Sequence, residues 1–407
     1  MTTSPTSAHA PSMAPIVLAL GVTLIIGYGT LYYSFGTVAP HIAESFGWTE
    51  EWVYGALSVS LLASGLIAPI SGRLADRFGA ALVMSAGSLL AALALGLSAL
   101  APEGISFAIG LLVTEIATAF VFYATAFTLV VQASGGRGQS SITHLTLIAG
   151  FASTLFWPLT GWLVEQFGWR GTYLLFAALN LCVCVPVHLM LARLVRRRAA
   201  AASETKAAQA QLPTPLVPPE QQGKVFLLLI LSFSLLSFVM SAVLVHMVPM
   251  LASLGLGSMA VVATTLFGPA QFCSRFINLQ FGRGLSQPML GLISAAMMPA
   301  GLVVLVLTAP SPIGAGVFAI LFAIGTGLSS IAGGTLPLAL FGAMGYGRRQ
   351  GVLSSARLVV SAVAPFAFSF LGAMSSTSAA LWLFIAAGTA STAAFFSIWL
   401  MFRKREA

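Results

Sequence analysis

Three charged residues stand inside stretches that are otherwise too apolar to solvate them: Glu115, Arg275 and Arg357. Even on modest scales a charge at the centre of a membrane helix costs roughly 2.5–3.5 kcal/mol, so such residues default to a functional reading. Guanidinium forks match carboxylates bidentately, which makes a small organic anion the natural ligand of the two arginines. Arg275 falls six residues before the end of one apolar run, and Arg357 falls six residues into another. At about 1.5 Å per residue this spacing predicts both at roughly 9 Å from the corresponding helix ends, at matching depth. The alternative for each is snorkelling to the interface or a structural bridge between helices. Glu115 sits near the middle of its run. Burial penalises an ionised carboxylate, which suits a proton carrier. Permanent pairing with an arginine, or binding of a cationic substrate, is the competing role.

Around these charges stand polar and aromatic groups that could shape a cavity. Tyr28 and Tyr32 are spaced i, i+4 and share a helix face. Gln271 precedes Arg275 by one turn, and His144 lies one turn inside its own run, where it could titrate or bond a substrate. Pro158, after Trp157, favours a local kink. His246 and Met250, with Met247 adjacent and Cys273 one run on, suit a soft metal, although a Met-rich helix end is usually packing. The three cysteines, Cys182, Cys184 and Cys273, lie within apolar runs and read as packing residues. No nucleotide-binding loop, paired catalytic carboxylates or nucleophile triad occurs, so neither an enzyme nor an ATP-driven machine is indicated and no cofactor is implied.

The elements that must position these residues follow from composition. Of 407 residues 58% are hydrophobic and only 7% charged, with a mean hydropathy of +0.97. A soluble surface needs about a quarter charged residues, so lipid must cover most of this chain, and its net charge of +8 is not a nucleic-acid signature. Spans of roughly 20 apolar residues are predicted at 15–40, 51–72, 80–100, 104–132, 140–164, 171–193, 224–251, 258–281, 287–309, 313–343, 351–373 and 379–402. The fold class is therefore an all-α membrane protein of twelve transmembrane helices. Residues 1–14 and 403–407 read as tails, and 194–223 as a polar linker between six-helix halves at 15–193 and 224–402. A shift of about 207 residues pairs Pro158 with Pro365 and Asp76 with Arg283, which supports duplication into pseudo-symmetric halves. Alternate loops hold the basic residues: Arg73 and Arg77; Arg137; Arg193, Arg196, Arg197, Arg198 and Lys206; Arg283; Arg348 and Arg349; Arg403, Lys404 and Arg405. The opposite loops hold Glu44, Glu50, Glu51, Glu103 and Glu165 with Arg170. The positive-inside rule then places both termini in the cytoplasm and the protein in the cell (inner) membrane.

The loop predicted between the second and third spans reads Gly72-Arg73-Leu74-Ala75-Asp76-Arg77-Phe78-Gly79. It resembles the G-x-L-a-D-r-x-G signature of the major facilitator superfamily, in the loop where that family carries it. Gly168-Trp169-Arg170 is also frequent there, whereas Ala80 and Ala81 replace the usual terminal basic residues. The resemblance implies a secondary transporter working by alternating access, commonly as a monomer, with Gly72, Arg73, Asp76, Arg77 and Gly79 as a gating motif. The implied role of the Asp is to dock at the cytoplasmic end of the opposite half. The placement of Arg275 and Arg357 resembles the oxalate/formate and monocarboxylate branches, in which a basic residue of the eighth helix, and in oxalate exchangers another of the eleventh, grips the substrate carboxylate. Gln271-x-x-x-Arg275 is similar to the Asp-x-x-x-Arg of monocarboxylate carriers, with Gln in place of the proton-linked Asp, and Gly27 to Tyr33 replaces their acidic first-helix signature. The resemblance thus implies a mono- or dicarboxylate substrate, with Tyr28, Tyr32, Gln271 and His144 contributing to its cavity and Glu115 as the candidate for proton coupling. The rivals are a drug or metabolite exporter, and a copper or vitamin importer using His246 and Met250.

Overall fold

The computed structural model describes residues 12–136, 138–204 and 214–403. The remaining parts of the tails and linker, with Arg137, Lys206, Lys404 and Arg405, lie outside the described residues. Among the described residues, ten helical stretches are long and apolar enough to cross a membrane. One of these, Gln139–Arg198, is 60 residues long and turns at Gly168, where φ is 67°, so it holds two passes. A further pass divides at Leu266 into Met259–Thr265 and Phe267–Phe281, each too short to span alone. The described residues therefore make twelve passes: α1 (Ala14–Phe46), α2 (Glu50–Phe78), α3 (Ala80–Ala99), α4 (Gly104–Ala133), α5 (139–167), α6 (169–204), α7 (Pro219–Leu256), α8 (259–281), α9 (Gln287–Thr308), α10 (Pro312–Phe341), α11 (Tyr346–Met374) and α12 (Thr377–Phe402).

Hydropathy located the passes but misplaced several ends, because caps and not apolarity decide where a helix stops. The α2 helix runs on to Phe78, so Gly72, Arg73, Asp76 and Arg77 occupy its last two turns and are not in a loop. The turn itself is Gly79, with φ at 92°. Similarly α11 starts at Tyr346, five residues before the predicted 351, with Arg348 and Arg349 inside its first turn. The α6 helix continues to Glu204, well past the predicted 193. The linker also buries more than its composition suggests. Val217 is 2% exposed in the core of the second half, while the Leu216 and Val217 amides donate to the Ala339 and Leu340 carbonyls at the end of α10. Those bonds satisfy carbonyls that a helix C-terminus leaves without a partner.

One apolar core fills the second half, from Val217 to Phe402. The first half has two. The one nearer the chain termini, built on Leu20, Met84, Phe127 and Ile142, also takes in Leu338 and Tyr346 of the second half. The halves are thus joined at the end that bears the termini. Small residues permit the closest approach there, as membrane helices require when no hydrophobic driving force separates protein from lipid. A Cβ on Gly72 would overlap the Gly347 carbonyl oxygen, and one on Gly351 would overlap that of Ala68, so α2 and α11 cross backbone against backbone. Gly65 meets Leu358 and Val359 further along the same crossing.

Candidate functional site

The residues singled out in the sequence come together only in part. Arg275, on α8, is 7% exposed. Its Nη1 donates to the Thr146 carbonyl of α5 at 3.2 Å, and its Nε lies 3.5 Å from the Gly327 carbonyl of α10. The guanidinium is also within electrostatic reach of Tyr33 on α1 and Tyr123 on α4. Arg357, on α11, donates from Nε to the Ser237 hydroxyl of α7 at 2.8 Å and lies 5.5 Å from the centre of the Phe233 ring. It acts electrostatically on Tyr28 of α1. Among the described residues neither guanidinium has an acidic partner, and every contact of both is with a neutral oxygen or a ring.

The equal distance from the helix ends expected of the two arginines is not met. Arg275 does stand six residues before Phe281, roughly 9 Å along its helix. Arg357 stands eleven residues into α11, counted from Tyr346, which is roughly 16 Å.

What they face is a tyrosine wall. The Tyr28 ring stacks on Phe122 at 4.1 Å and contacts Tyr123 at 5.0 Å, Tyr33 at 6.3 Å and Tyr32 at 6.5 Å. Tyr33 reaches Trp157 at 5.8 Å, and Tyr123 stacks on Phe127 at 5.0 Å. Two backbone irregularities present these rings. One turn of α1, Gly29–Tyr33, is wound as a π-helix, and α4 breaks at Phe122, whose ψ of −171° is extended. Single π turns inside α-helices cluster at functional sites. A second, Asn180–Cys184 in α6, lies beside the first and is tied to it by Asn180 Nδ2 donating to Thr30 Oγ1 at 2.9 Å. Tyr33 and Tyr123 escaped the sequence reading. Tyr33 has no aromatic partner at helical spacing and Tyr123 has Phe127, and the π turn and the helix break bring the two rings towards Arg275.

Gln271 is turned to its own half, donating to Thr326 Oγ1 of α10 at 3.1 Å. His144 is separate from the arginines: it is exposed, bonded to the Ser140 carbonyl at 2.7 Å, and lines a cavity of about 950 Å³ at the terminus end. Glu115 is 2% exposed, and among the described residues nothing bonds its carboxyl. Tyr32 of α1 and Tyr173 of α6 lie within electrostatic reach of it. His246 Nε2 lies 3.0 Å from the Pro365 carbonyl and its ring stacks on Phe368, Met250 is buried in the core, and no group of three His, Cys, Asp or Glu side chains gathers among the described residues. A buried His188, held between Ser88 and Thr23 hydroxyls at 3.0 Å each, was not anticipated and cross-links α1, α3 and α6.

The segment Gly72 to Gly79 has one clear electrostatic contact. Asp76 accepts the Gly347 amide at 2.9 Å and the Arg348 amide at 2.8 Å, which caps the first turn of α11 from the opposite half. A carboxylate at a helix N-terminus satisfies orphan amides and meets the positive end of the helix dipole. Arg73 and Arg77 are exposed, the latter over the Phe78 ring. Arg170 works as a lock within the first half: its Nη1 donates to the Ala99 and Ala101 carbonyls at the end of α3, and its guanidinium stacks on Trp169 at 4.4 Å.

The sequence model described as Major Facilitator Superfamily matches residues 20–365. Human monocarboxylate transporter 11 is 31% identical over 158 residues, 38% of this chain and 33% of that protein. A homologue of the multi-drug resistance efflux pump PmrA from Lactococcus lactis is 35% identical over 155 residues, 36% of this chain and 38% of the relative. The chain thus matches little more than a third of the length of either curated relative. The crystal structure of the human organic anion transporter MFSD10 (TETRAN) superposes with a TM-score of 0.71 at 14% identity, covering 95% of this chain and 100% of that one. At that identity it speaks for the fold alone.

Proposed function

The chain belongs to the Major Facilitator Superfamily, and from that premise we propose that it is a secondary transporter moving a small organic anion, a mono- or dicarboxylate, by alternating access. The observation that carries the proposal is the pair of guanidinium groups with no acidic partner among the described residues, set against neutral tyrosines. A charge buried like that of Arg275, or half-buried like that of Arg357, is ordinarily paired. Here the missing counter-ion is the substrate, whose carboxylate replaces weaker bonds to neutral oxygens with charge-assisted ones. The partial likeness to monocarboxylate transporter 11 supports the same reading. The protein sits in the cell membrane with both termini in the cytoplasm, as its Lys/Arg distribution directs. Glu115, the acid of α4, is the proton-coupling group. Reconstituted in liposomes, the protein takes up labelled lactate, oxalate or a related carboxylate. Arg275→Gln and Arg357→Gln each lower that uptake by roughly tenfold or more, the worth of a lost charged hydrogen bond. Uptake unchanged in both variants refutes the assignment.

The likeness to the PmrA homologue favours a second reading, efflux of a larger apolar compound against the Tyr28, Tyr33, Tyr123 and Trp157 rings. In that case Arg275 and Arg357 act only as structural bridges. Extrusion of a hydrophobic dye by both arginine variants distinguishes it.

A further inference from the structure

Arg275 does two things at once that bear on each other. It belongs to α8 of the second half, yet its Nη1 hydrogen bond at 3.2 Å ends on Thr146 of α5 in the first half. That carbonyl already accepts the Gly150 amide at 3.1 Å, so the guanidinium occupies its remaining lone pair. The place is shaped for it. The helical bonding of α5 is interrupted between Ala149 and Ala152, and a Cβ at Gly150 would overlap Nη1. Around this contact the seam between halves is tight. Phe151 and Phe272 rings meet at 5.1 Å, and Ile142, with no exposure at all, packs where a Cβ on Gly334 of α10 would fall.

We propose that Thr146 and Gly150 form a seat in which the empty Arg275 latches α5 to α8, and that an anion drawing the guanidinium away from the seat releases the seam. The second clause rests on the anion reading given above; the latch itself does not. A guanidinium–carboxylate fork is stronger than one bond to a neutral carbonyl, so the exchange runs towards the anion. Substrate arrival and opening at the terminus end then become one event, without a separate signal. Gly150 is a positioning residue, acting through Arg275.

The test uses the full-length protein in nanodiscs, with Cys182, Cys184 and Cys273 replaced by Ser and Ile142→Cys as a reporter of seam opening by maleimide labelling. Gly150→Ala keeps the helical backbone, whose φ there is −59°, overlaps the flexible end of Arg275 and stands 3.1 Å from the Leu147 carbonyl oxygen, a crowding that the Arg275→Gln background controls for. Labelling is expected to rise roughly tenfold in Gly150→Ala, from the loss of one charged hydrogen bond. It should rise similarly in Arg275→Gln, with no further increase in the double variant. An unchanged rate in Gly150→Ala, or an equal rise from Gly150→Ala in the Arg275→Gln background, overturns the latch. Oxalate and lactate are added to the protein with Arg275 intact as the second arm. A rise that disappears in Arg275→Gln supports release by the anion. A seam that obeys the variant cycle but is not opened by an anion that the same protein takes up in liposomes overturns the release and leaves the latch standing, whereas absence of uptake of both anions overturns the anion reading itself.

Discussion

At the scale of single residues, the unusual feature is Glu115, a carboxyl enclosed without a hydrogen bond or ion pair among the described residues. An isolated buried ionised carboxylate is very costly, whereas its protonated form is tolerable. An amide has nearly the same shape and no charge, so Glu115→Gln is expected to fold and express as well as the parent. It should also abolish accumulation driven by a pH gradient while leaving anion exchange between equal concentrations intact. Counterflow measured beside gradient-driven uptake checks this, and equal loss of both assigns Glu115 to packing. Glu115, Arg275 and Arg357 were legible from the sequence, because a charge inside an apolar run is conspicuous in any reading. Their partners were not. Tyr33 and Tyr123 are ordinary aromatic residues until the π turn at Gly29–Tyr33 and the break at Phe122 aim them. Neither irregularity has a hydropathy signature.

At the scale of elements, the errors in helix ends share one physical cause. Charged residues in a first turn, Glu50 and Glu51 of α2 or Arg348 and Arg349 of α11, look like loop because they lie beyond the hydrocarbon while the helix continues through them. Asp76 depends on this geometry, since only an α11 that begins at Tyr346 offers its Gly347 and Arg348 amides. Removing a side-chain cap costs roughly 1 kcal/mol. Asp76→Ala is therefore expected to weaken closure of the terminus end and to speed maleimide labelling of Ile142→Cys roughly fivefold. Asp76→Asn, which keeps one acceptor, should have a smaller effect. A labelling rate that is insensitive to both would show that α11 is capped without the aid of α2.

At the scale of the whole molecule, the two halves touch where α2 crosses α11 and along the α5–α8 and α5–α10 seams. Alternating access requires that crossing to separate. A Cβ built at Gly65 lies 3.2 Å from the Leu358 Cβ, within a few tenths of an ångström of disulfide spacing. Oxidation of a Gly65→Cys, Leu358→Cys pair is expected to stop transport, and dithiothreitol to restore it. Transport that persists through the cross-link would mean that this crossing stays shut during the cycle. The twelve passes and the two halves were readable from hydropathy and the central polar stretch. The seam was not, because glycines that allow backbones to touch read the same as glycines that only punctuate.

The cap on α11 has a consequence for how the gene can drift. Asp76 grips main-chain amides, so the far side of the contact is written in no side chain at all. Position 348 can exchange Arg for any residue that tolerates a helix start, and the grip persists. Position 76 has no such freedom, because only a short acidic side chain meets both amides. A saturation library selected for transport is therefore expected to be lopsided across this one contact, permissive on α11 and strict on α2. The usual compensating pair of mutations, one on each side, should be missing from it.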